Sequence, residues 1–467
     1  MRICVSNALT VEEPTREMVQ WCKKNLVISN PEYIKKARMH FWLGNTPQTL
    51  SLYEQRGDTL VLPFGTLRTL PSEITSDTYF TSDFPTAVEV DYGEDVPLYD
   101  YQQEAVNAMY ECKYGILQSP AGSGKTQMGI ALVKKFGRRA LWLTHTLDLL
   151  NQSKARAERY MSKDLIGTIT GGKVNIGTGI TFATVQTMSK LDLAQYKHFW
   201  DVVIVDECHR CTGTPNAMTQ FSKVLNSLSA RHKLGLSATV HRSDGMIAAT
   251  YALLGEIAYT VPKEAVEKTT MKVGIYPIGT GVRISRKALN TDGTLNYAKL
   301  ISYLCEDDSR NNLIGSCIAK NADYSSLILS DRLKHLEALM NSLPPSMRGQ
   351  AVMINGKLTT KKGKAFREQA IEDMRTGKKK YLFATYSLAK EGLDIPRLER
   401  LYLTTPQKDY AVVAQSIGRI ARTFEGKHDP VAFDFVDNIE FTARAYKKRC
   451  ATYKKEGCYF VEGGQSR

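Results

Sequence analysis

From Gly115 onward the chain alternates short apolar runs with amphipathic stretches, and this rhythm restricts its fold more than any other feature. YGILQS, RALWLTH, ITFATV, DVVIVDE and LGLSA are each too short for a helix, and stretches such as KTQMGIALVKKF and LDLLNQSKARAERYM lie between some of them. A strand that is apolar throughout must be covered on both faces, and intervening helices supply that cover, so the pattern predicts a parallel α/β sheet. Residues 263 to about 310 carry strand-like runs and then a helical stretch around Tyr297 to Leu304. The alternation then resumes in SSLILS, AVMIN, KYLFAT, RLYLTT and VAFDFV, which predicts a second α/β sheet with its own core.

The first 90 residues read differently. YIKKARMHFWLG has helical spacing, and LSLYEQRGDTLVLPFG reads as a hairpin turning near Gly57-Asp58. Leu70 to Pro85, rich in Ser, Thr, Asp and Pro, reads as a loop or linker. The expected organisation is a small α+β module at 1–90 and two parallel-sheet domains at 91–262 and 263–467. Phe41 and Trp42 are expected to pack in the module's core in preference to stacking on bases.

The strand GILQS is followed by Ser119-Pro-Ala-Gly-Ser-Gly-Lys125-Thr126, where a loop must turn into a helix. Such a loop cradles phosphates with backbone N–H groups and a helix N-terminus. Gly122 and Gly124 permit the close approach, Ser123 between them belongs to the same ATP-binding loop, Lys125 neutralises the outer phosphates, and the Thr126 hydroxyl can ligate Mg²⁺. Ser119 stands where the strict pattern has Gly. Asp206 and Glu207 close the apolar strand DVVIVDECH: one carboxylate can hold Mg²⁺ and the other can position the attacking water. Together these point to ATP hydrolysis beyond mere binding.

The remaining short runs resemble, in order and over residues 98–437, the motifs of the superfamily 2 helicases and translocases. That resemblance implies two RecA-like domains facing one ATP site. Leu98-Tyr-Asp-Tyr-Gln102 is similar to the adenine-reading element, with Gln102 as the base contact. His145-Thr146 through Gln152 and Thr184-Val-Gln186 resemble strand-binding motifs, and Ser330, Arg332 and Thr385 fall in their second-domain counterparts. Asp206-Glu207-Cys208-His209 resembles the DExH box, Ser237-Ala238-Thr239 the coupling triplet, and Arg242 with Asp244 the Arg-x-Asp element of XPB-like members. Glu391-Gly392-Leu-Asp394 is similar to the fifth motif, which implies ATP contacts from Gly392 and Asp394. Gln415, Arg419 and Arg422 match the sixth. By that resemblance the catalytic set is Lys125, Asp206, Glu207, His209, Gln415, Arg419 and Arg422, with ATP and Mg²⁺ as cofactors. Arg419 and Arg422, three apart, are expected on one helix face, where an Arg supplied to a γ-phosphoryl group can be worth roughly 10³–10⁵ in rate.

Closest in pattern are the XPB-like and phage UvsW-type helicases, which implies work on forks and junctions with DNA preferred to RNA. An RNA helicase, a restriction-complex motor subunit and an ATP-gated clamp or annealing scaffold stay open as alternatives. The resemblance implies replication or recombination proteins as partners. The net charge of +14 suits a polyanionic ligand. It is unevenly spread, with −1 on residues 1–90, +3 on 91–262 and +12 on 263–467. The runs Lys357 to Lys380, Lys447-Lys448-Arg449 and Lys454-Lys455 are candidates for phosphate contact. Nine dispersed cysteines fit a reducing cytoplasm, which the resemblance implies is that of a bacterial or phage-infected cell, and Cys208-His-Arg-Cys211 reads as two free thiols in place of a zinc site. No apolar run suggests a signal peptide or a membrane span.

Overall fold

A computed structural model describes residues 1–461 except 121, 241, 243, 268–269, 357–359 and 391–392. The chain forms two compact units, Met1–Lys263 and Glu264–Arg467. Among the described residues no helix is long and apolar enough to cross a membrane.

The first unit begins with strands β1 (Arg2–Val5), β2 (Ala8–Glu12), β3 (Val27–Ser29), β4 (Thr49–Ser51), β5 (Glu54–Arg56), β6 (Thr59–Pro63) and β7 (Tyr79–Ser82). Five of them form a sheet in the order β5-β6-β2-β1-β7, while β3 and β4 pair separately. The hairpin forms around Gly57-Asp58, with Arg56 opposite Thr59. Two expectations fail here. Leu70 to Pro85 is no mere linker: within it β7 pairs in parallel with β1, from Arg2 opposite Tyr79 to Val5 opposite Ser82. Helix Pro31–Arg38 stops before the aromatic pair, and Phe41 and Trp42 are 60% and 89% exposed, so neither is core. A left-handed His40 (φ 53°) breaks the helical run and carries both rings outward.

The same unit continues into a second sheet built from β8 (Gly115–Gln118), β9 (Ala140–Thr144), β10 (Ile166–Thr170), β11 (Lys173–Asn175), β12 (Ile180–Thr184), β13 (Val202–Asp206), β14 (His232–Ser237) and β15 (Ile257–Thr260). Their order is β11-β10-β12-β9-β13-β14-β8-β15. Every pairing is parallel apart from β10 with β11, as the alternation predicts.

The small sheet is fused to this larger one. Its core, with Ile3, Leu9, Leu60, Leu62 and Phe64, continues into Ala249 and Ala252 of helix Ile247–Leu254. A side chain on Gly65 would fall 2.1 Å from the Tyr251 carbonyl, so backbone meets backbone there. Fully buried Lys233 on β14 donates to the carbonyls of Asn7 (3.0 Å) and Leu225 (2.8 Å). Asp83 takes bonds from Lys197 and His198 at 2.7 and 2.9 Å.

The second unit holds β16 (Gly274–Gly279), β17 (Ser326–Ser330), β18 (Ala351–Ile354), β19 (Tyr381–Thr385), β20 (Arg400–Leu403), β21 (Val431–Val436) and β22 (Tyr459–Phe460). They run in the order β18-β19-β17-β20-β21-β16-β22, and all pairings are parallel. Two apolar clusters pack this sheet, one around Leu327, Leu382 and Leu401, the other around Ile328, Phe383 and Tyr402. The alternation of these residues along each strand puts the clusters on opposite faces. Arg449, counted with the basic tail in the sequence, is instead internal. It forms a two-pronged pair with Asp434, at 2.8 Å on each oxygen, and donates to the Gln407 carbonyl at 2.7 Å.

Candidate nucleotide site and strand-edge motifs

The loop between β8 and helix Lys125–Phe136 carries Gly122 and Gly124 with φ of 86° and 80°, a region that other side chains enter at a cost. A Cβ on Gly124 would also lie 2.4 Å from the Gln102 amide nitrogen. Gln102 therefore sits directly against the loop. Its Nε2 donates to the Ser123 carbonyl at 2.8 Å, Tyr101 donates to the same carbonyl at 3.1 Å, and its Oε1 accepts from the Tyr99 N–H at 3.0 Å. Ser119 departs from the strict loop pattern, and its hydroxyl donates across the loop to the Ser123 hydroxyl at 2.5 Å, both residues being buried. The loop is thus braced from two sides. Lys125 opens the helix, its Nζ 3.5 Å from the Ser119 carbonyl, and Thr126 follows it.

β13 is buried along its length and ends at Asp206. The next residue, Glu207, adopts φ 51°, unusual for a residue with a side chain, and its N–H donates to Asp206 Oδ1 at 2.9 Å. Burial, and then the neighbouring Glu207 charge, push the Asp206 carboxyl up to about 7, while Lys125, the Glu207 N–H and a Ser153 hydroxyl pull the other way. A buried carboxylate held so unfavourably suits a site completed by a cation. Asp206 and Thr126 are the oxygen donors that would hold Mg²⁺.

From Glu207 the contacts run onward. His209 Nδ1 lies 3.3 Å from Glu207 Oε2 and 3.0 Å from Ser237 Oγ. Ser237 spends its single hydroxyl hydrogen on the Thr239 carbonyl at 2.8 Å and accepts the Thr239 N–H at 3.3 Å. It must therefore accept from His209, which places a hydrogen on Nδ1, while the buried Nε2 meets no partner among the described residues. Ala238 lies between the two anchored members of the triplet. Arg242 donates to the His209 carbonyl at 2.6 Å and grips Asp244 at 3.0 and 2.5 Å. Asp244 in turn accepts the Met246 N–H at 3.0 Å, just ahead of helix Ile247–Leu254.

The strand-binding candidates sit at strand ends. Thr184 lies opposite Thr144 at the ends of neighbouring β12 and β9. Thr146 caps helix Leu147–Ala157 by accepting the Leu149 N–H at 3.3 Å. Gln186 donates to the His145 carbonyl at 2.8 Å, joining the two motifs, while buried Thr184 bonds Thr187 at 3.1 Å. In the second unit Ser330 and Thr385 are likewise opposite one another. Ser330 is buried, with its hydroxyl on His335 (2.9 Å) and the Arg332 N–H (3.1 Å), whereas Arg332 is exposed and Thr385 bonds Ser387 at 3.0 Å.

Arg419 and Arg422 do not share a helix face. Helix Tyr410–Ile420 ends with Ala421 as its cap, and Arg422 forms a β-bridge with Thr270. They nevertheless converge on one segment: Arg419 donates to the Leu393 carbonyl at 3.1 Å and Arg422 is ion-paired with Asp394. Gln415 is buried on the same helix. Gly392 and Glu391 lie outside the described residues. Sequence reasoning missed four residues here. Tyr101, adjacent to Gln102, and Ser153, a polar residue on a buried helix face, left a signal. Arg375, which holds the Asp394 carbonyl at 2.6 Å, and Lys427, which holds the Ile420, Arg422 and Pro396 carbonyls at 2.6–3.0 Å, left none. Cys208 and Cys211 are buried thiols, both pushed up by burial.

Residues 95–242 match the family described as type III restriction enzyme, res subunit, and residues 309–424 the helicase conserved C-terminal domain. The chain belongs to the superfamily 2 helicases. "Probable helicase D10" of Escherichia phage T5 is 26% identical over 351 residues, covering 73% of this chain and 72% of that protein. The DNA 3'-5' helicase XPB of Kineococcus radiotolerans is 25% identical over 366 residues, 74% of this chain but only 60% of its own. L396 of Acanthamoeba polyphaga mimivirus, whose name carries the words ATP-dependent RNA helicase, is 28% identical over 76% of this chain and 66% of its own. Yeast Dbp5 bound to RNA and ADP BeF3 shares the fold at TM-score 0.54 and 17% identity, covering 78% of this chain and 94% of that one. T4 UvsW aligns over 99% of both chains, but a TM-score of 0.43 and 18% identity carry no argument.

Proposed function

We propose that this superfamily 2 helicase couples ATP hydrolysis to movement along DNA, unwinding or remodelling forks and junctions. The observation that carries the reading is the unbroken run Glu207, His209, Ser237, Thr239, which joins the water-positioning acid to the coupling triplet. The loop amides and Lys125 bind the phosphates, and Gln102 meets the adenine edge. Mg²⁺ held by Asp206 and Thr126 supplies charge neutralisation at the phosphates when bound. Glu207 orients the attacking water, and a change in its charge or position is felt at Ser237 through His209. Arg419 and Arg422, held by the Leu393 carbonyl and Asp394, are the cations that the family resemblance assigns to the γ-phosphoryl charge. Thr146, Gln186, Arg332 and Thr385, at the strand ends and not buried, are the side chains through which each unit grips a nucleic-acid backbone, while buried Thr184 and Ser330 brace the strand ends behind them.

The XPB relative, named a DNA helicase, supports DNA, while the name of L396 supports RNA as the second reading. ATPase rates measured side by side with single-stranded DNA, duplex, fork, four-way junction and RNA test it. Stimulation that is strongest with forked or junction DNA is expected. Equal stimulation by RNA would sink the DNA assignment.

A further inference from the structure

The motor leaves the exposed tip at residues 39–44 without a role. Five of the nine basic residues in the first 90 lie between positions 23 and 38, and Glu32 is the single acid between 23 and 44. The rest of the module is correspondingly acidic. Helix Pro31–Arg38 therefore ends in exposed cations, Lys35 and Arg38, with exposed His40 next to them, and the two aromatic rings follow at once.

This tip is built, not frayed. The Phe41 N–H donates to the Lys36 carbonyl at 2.9 Å, tying the rings to the helix end. The excursion is closed at its base by Asn30, whose backbone N–H donates to Gln48 at 2.9 Å and whose side chain donates to the Pro47 carbonyl at 2.8 Å. Left-handed backbone at His40 and Gly44 (φ 53° and 49°) turns the chain on both sides of the rings. The six-membered ring of Trp42 lies against Gly44 so closely that a Cβ there would come within 2.8 Å of it. Trp42 thus packs against Gly44 yet remains 89% exposed, and with Phe41 beside it presents two adjacent apolar rings to solvent.

A ligand that suits both features is flat, apolar on its faces and anionic along its edge. We infer that the tip 35–42 is a base-stacking contact for single-stranded DNA, in which Trp42 and Phe41 stack on unpaired bases while Lys35 and Arg38 meet the adjoining phosphates. The inference rests on the nucleic-acid reading above.

Trp42 makes its own test feasible, because Trp142 and Trp200 are buried and Trp21 packs against the module's core. The full chain is titrated with a thymidine 20-mer and with an abasic strand of equal length. Intrinsic fluorescence, anisotropy and ATPase stimulation are read on the same samples. Expected are quenching by the thymidine strand that is absent from Trp42→Phe, near-normal binding by Trp42→Phe, and binding weakened roughly five- to hundredfold in Trp42→Ala. The abasic strand should bind both Trp42→Ala and the parent alike. A strand that stimulates ATPase but leaves Trp42 emission unchanged, or that binds Trp42→Ala as tightly as the parent, overturns the stacking contact and spares the motor. Quenching by anionic phosphatidylglycerol vesicles alone also overturns it. ATPase indifferent to every nucleic acid overturns both.

Discussion

Lys233 gives the seam between the small sheet and the larger one a pH dependence whose sign can be worked out. Its amine is fully buried, and burial pushes it down to about 7. A neutral amine has two hydrogens to donate, and it meets two carbonyls, of Asn7 and Leu225, so the uncharged form is fully satisfied. Its unfolded value stays near 10.4. Between pH 7 and about 10 the unfolded chain therefore binds more protons at this site than the folded one, and stability rises with pH. From pH 7 to pH 9 the gain is at most about 2 kcal/mol by linkage. It is a ceiling because the Phe64 ring, 4.6 Å from Nζ, favours the cation. All four tryptophans lie in the first unit, so tryptophan fluorescence during urea unfolding follows that unit. The midpoint of the parent should climb between pH 7 and 9 relative to that of Lys233→Met, whatever the absolute stability of the variant. Parallel midpoints across that range would refute the neutral buried amine.

Three further outcomes are expected. Glu207→Gln should bind ATP with near-parental affinity by fluorescent-nucleotide titration while steady-state hydrolysis falls by roughly 10²–10⁴, and normal turnover would remove Glu207 from the chemistry. Ser237→Ala leaves the Nδ1 hydrogen of His209 short of one acceptor, worth about 1–3 kcal/mol, and should depress strand displacement far more than ATPase; equal losses would show that the run does not couple them. Gly65→Val drives a side chain into the Tyr251 carbonyl and should lower the urea stability of the first unit by about 1–3 kcal/mol or more, whereas an unchanged midpoint would mean that the seam can open without cost.

Both large sheets were legible because strands such as VVIVD and LILS are apolar on both faces, and a local pattern settles that class of strand. The turn from β8 into helix Lys125–Phe136 was legible for a similar reason: its glycines, Lys125 and Thr126 all lie within a few residues. β7 was not, since its Ser and Thr content speaks for a loop and only its pairing with β1 makes it a strand. Trp42 misled because aromatic side chains are usually buried, and nothing local announces a ring seated on a glycine. Arg422 was misplaced by assuming that helical spacing continued two residues past Ile420, where the bridge to Thr270 takes over. The Lys233 seam joins positions 226 apart, a distance at which no window on the sequence carries information.

The contact of Gly65 with helix Ile247–Leu254 bears on how such proteins can be inherited. A chain starting near residue 91 would retain the described nucleotide-site residues of the first unit, yet its Lys233 would lose the Asn7 carbonyl and Ala249 and Ala252 would face water. Recombination between relatives at that boundary joins a small sheet to a helix shaped for another, and the mismatch falls on backbone, where no rotamer can relieve it. Viable exchanges should carry the segment 247–254 along with the first 83 residues, so the two stretches should share one ancestry even though some 160 residues separate them.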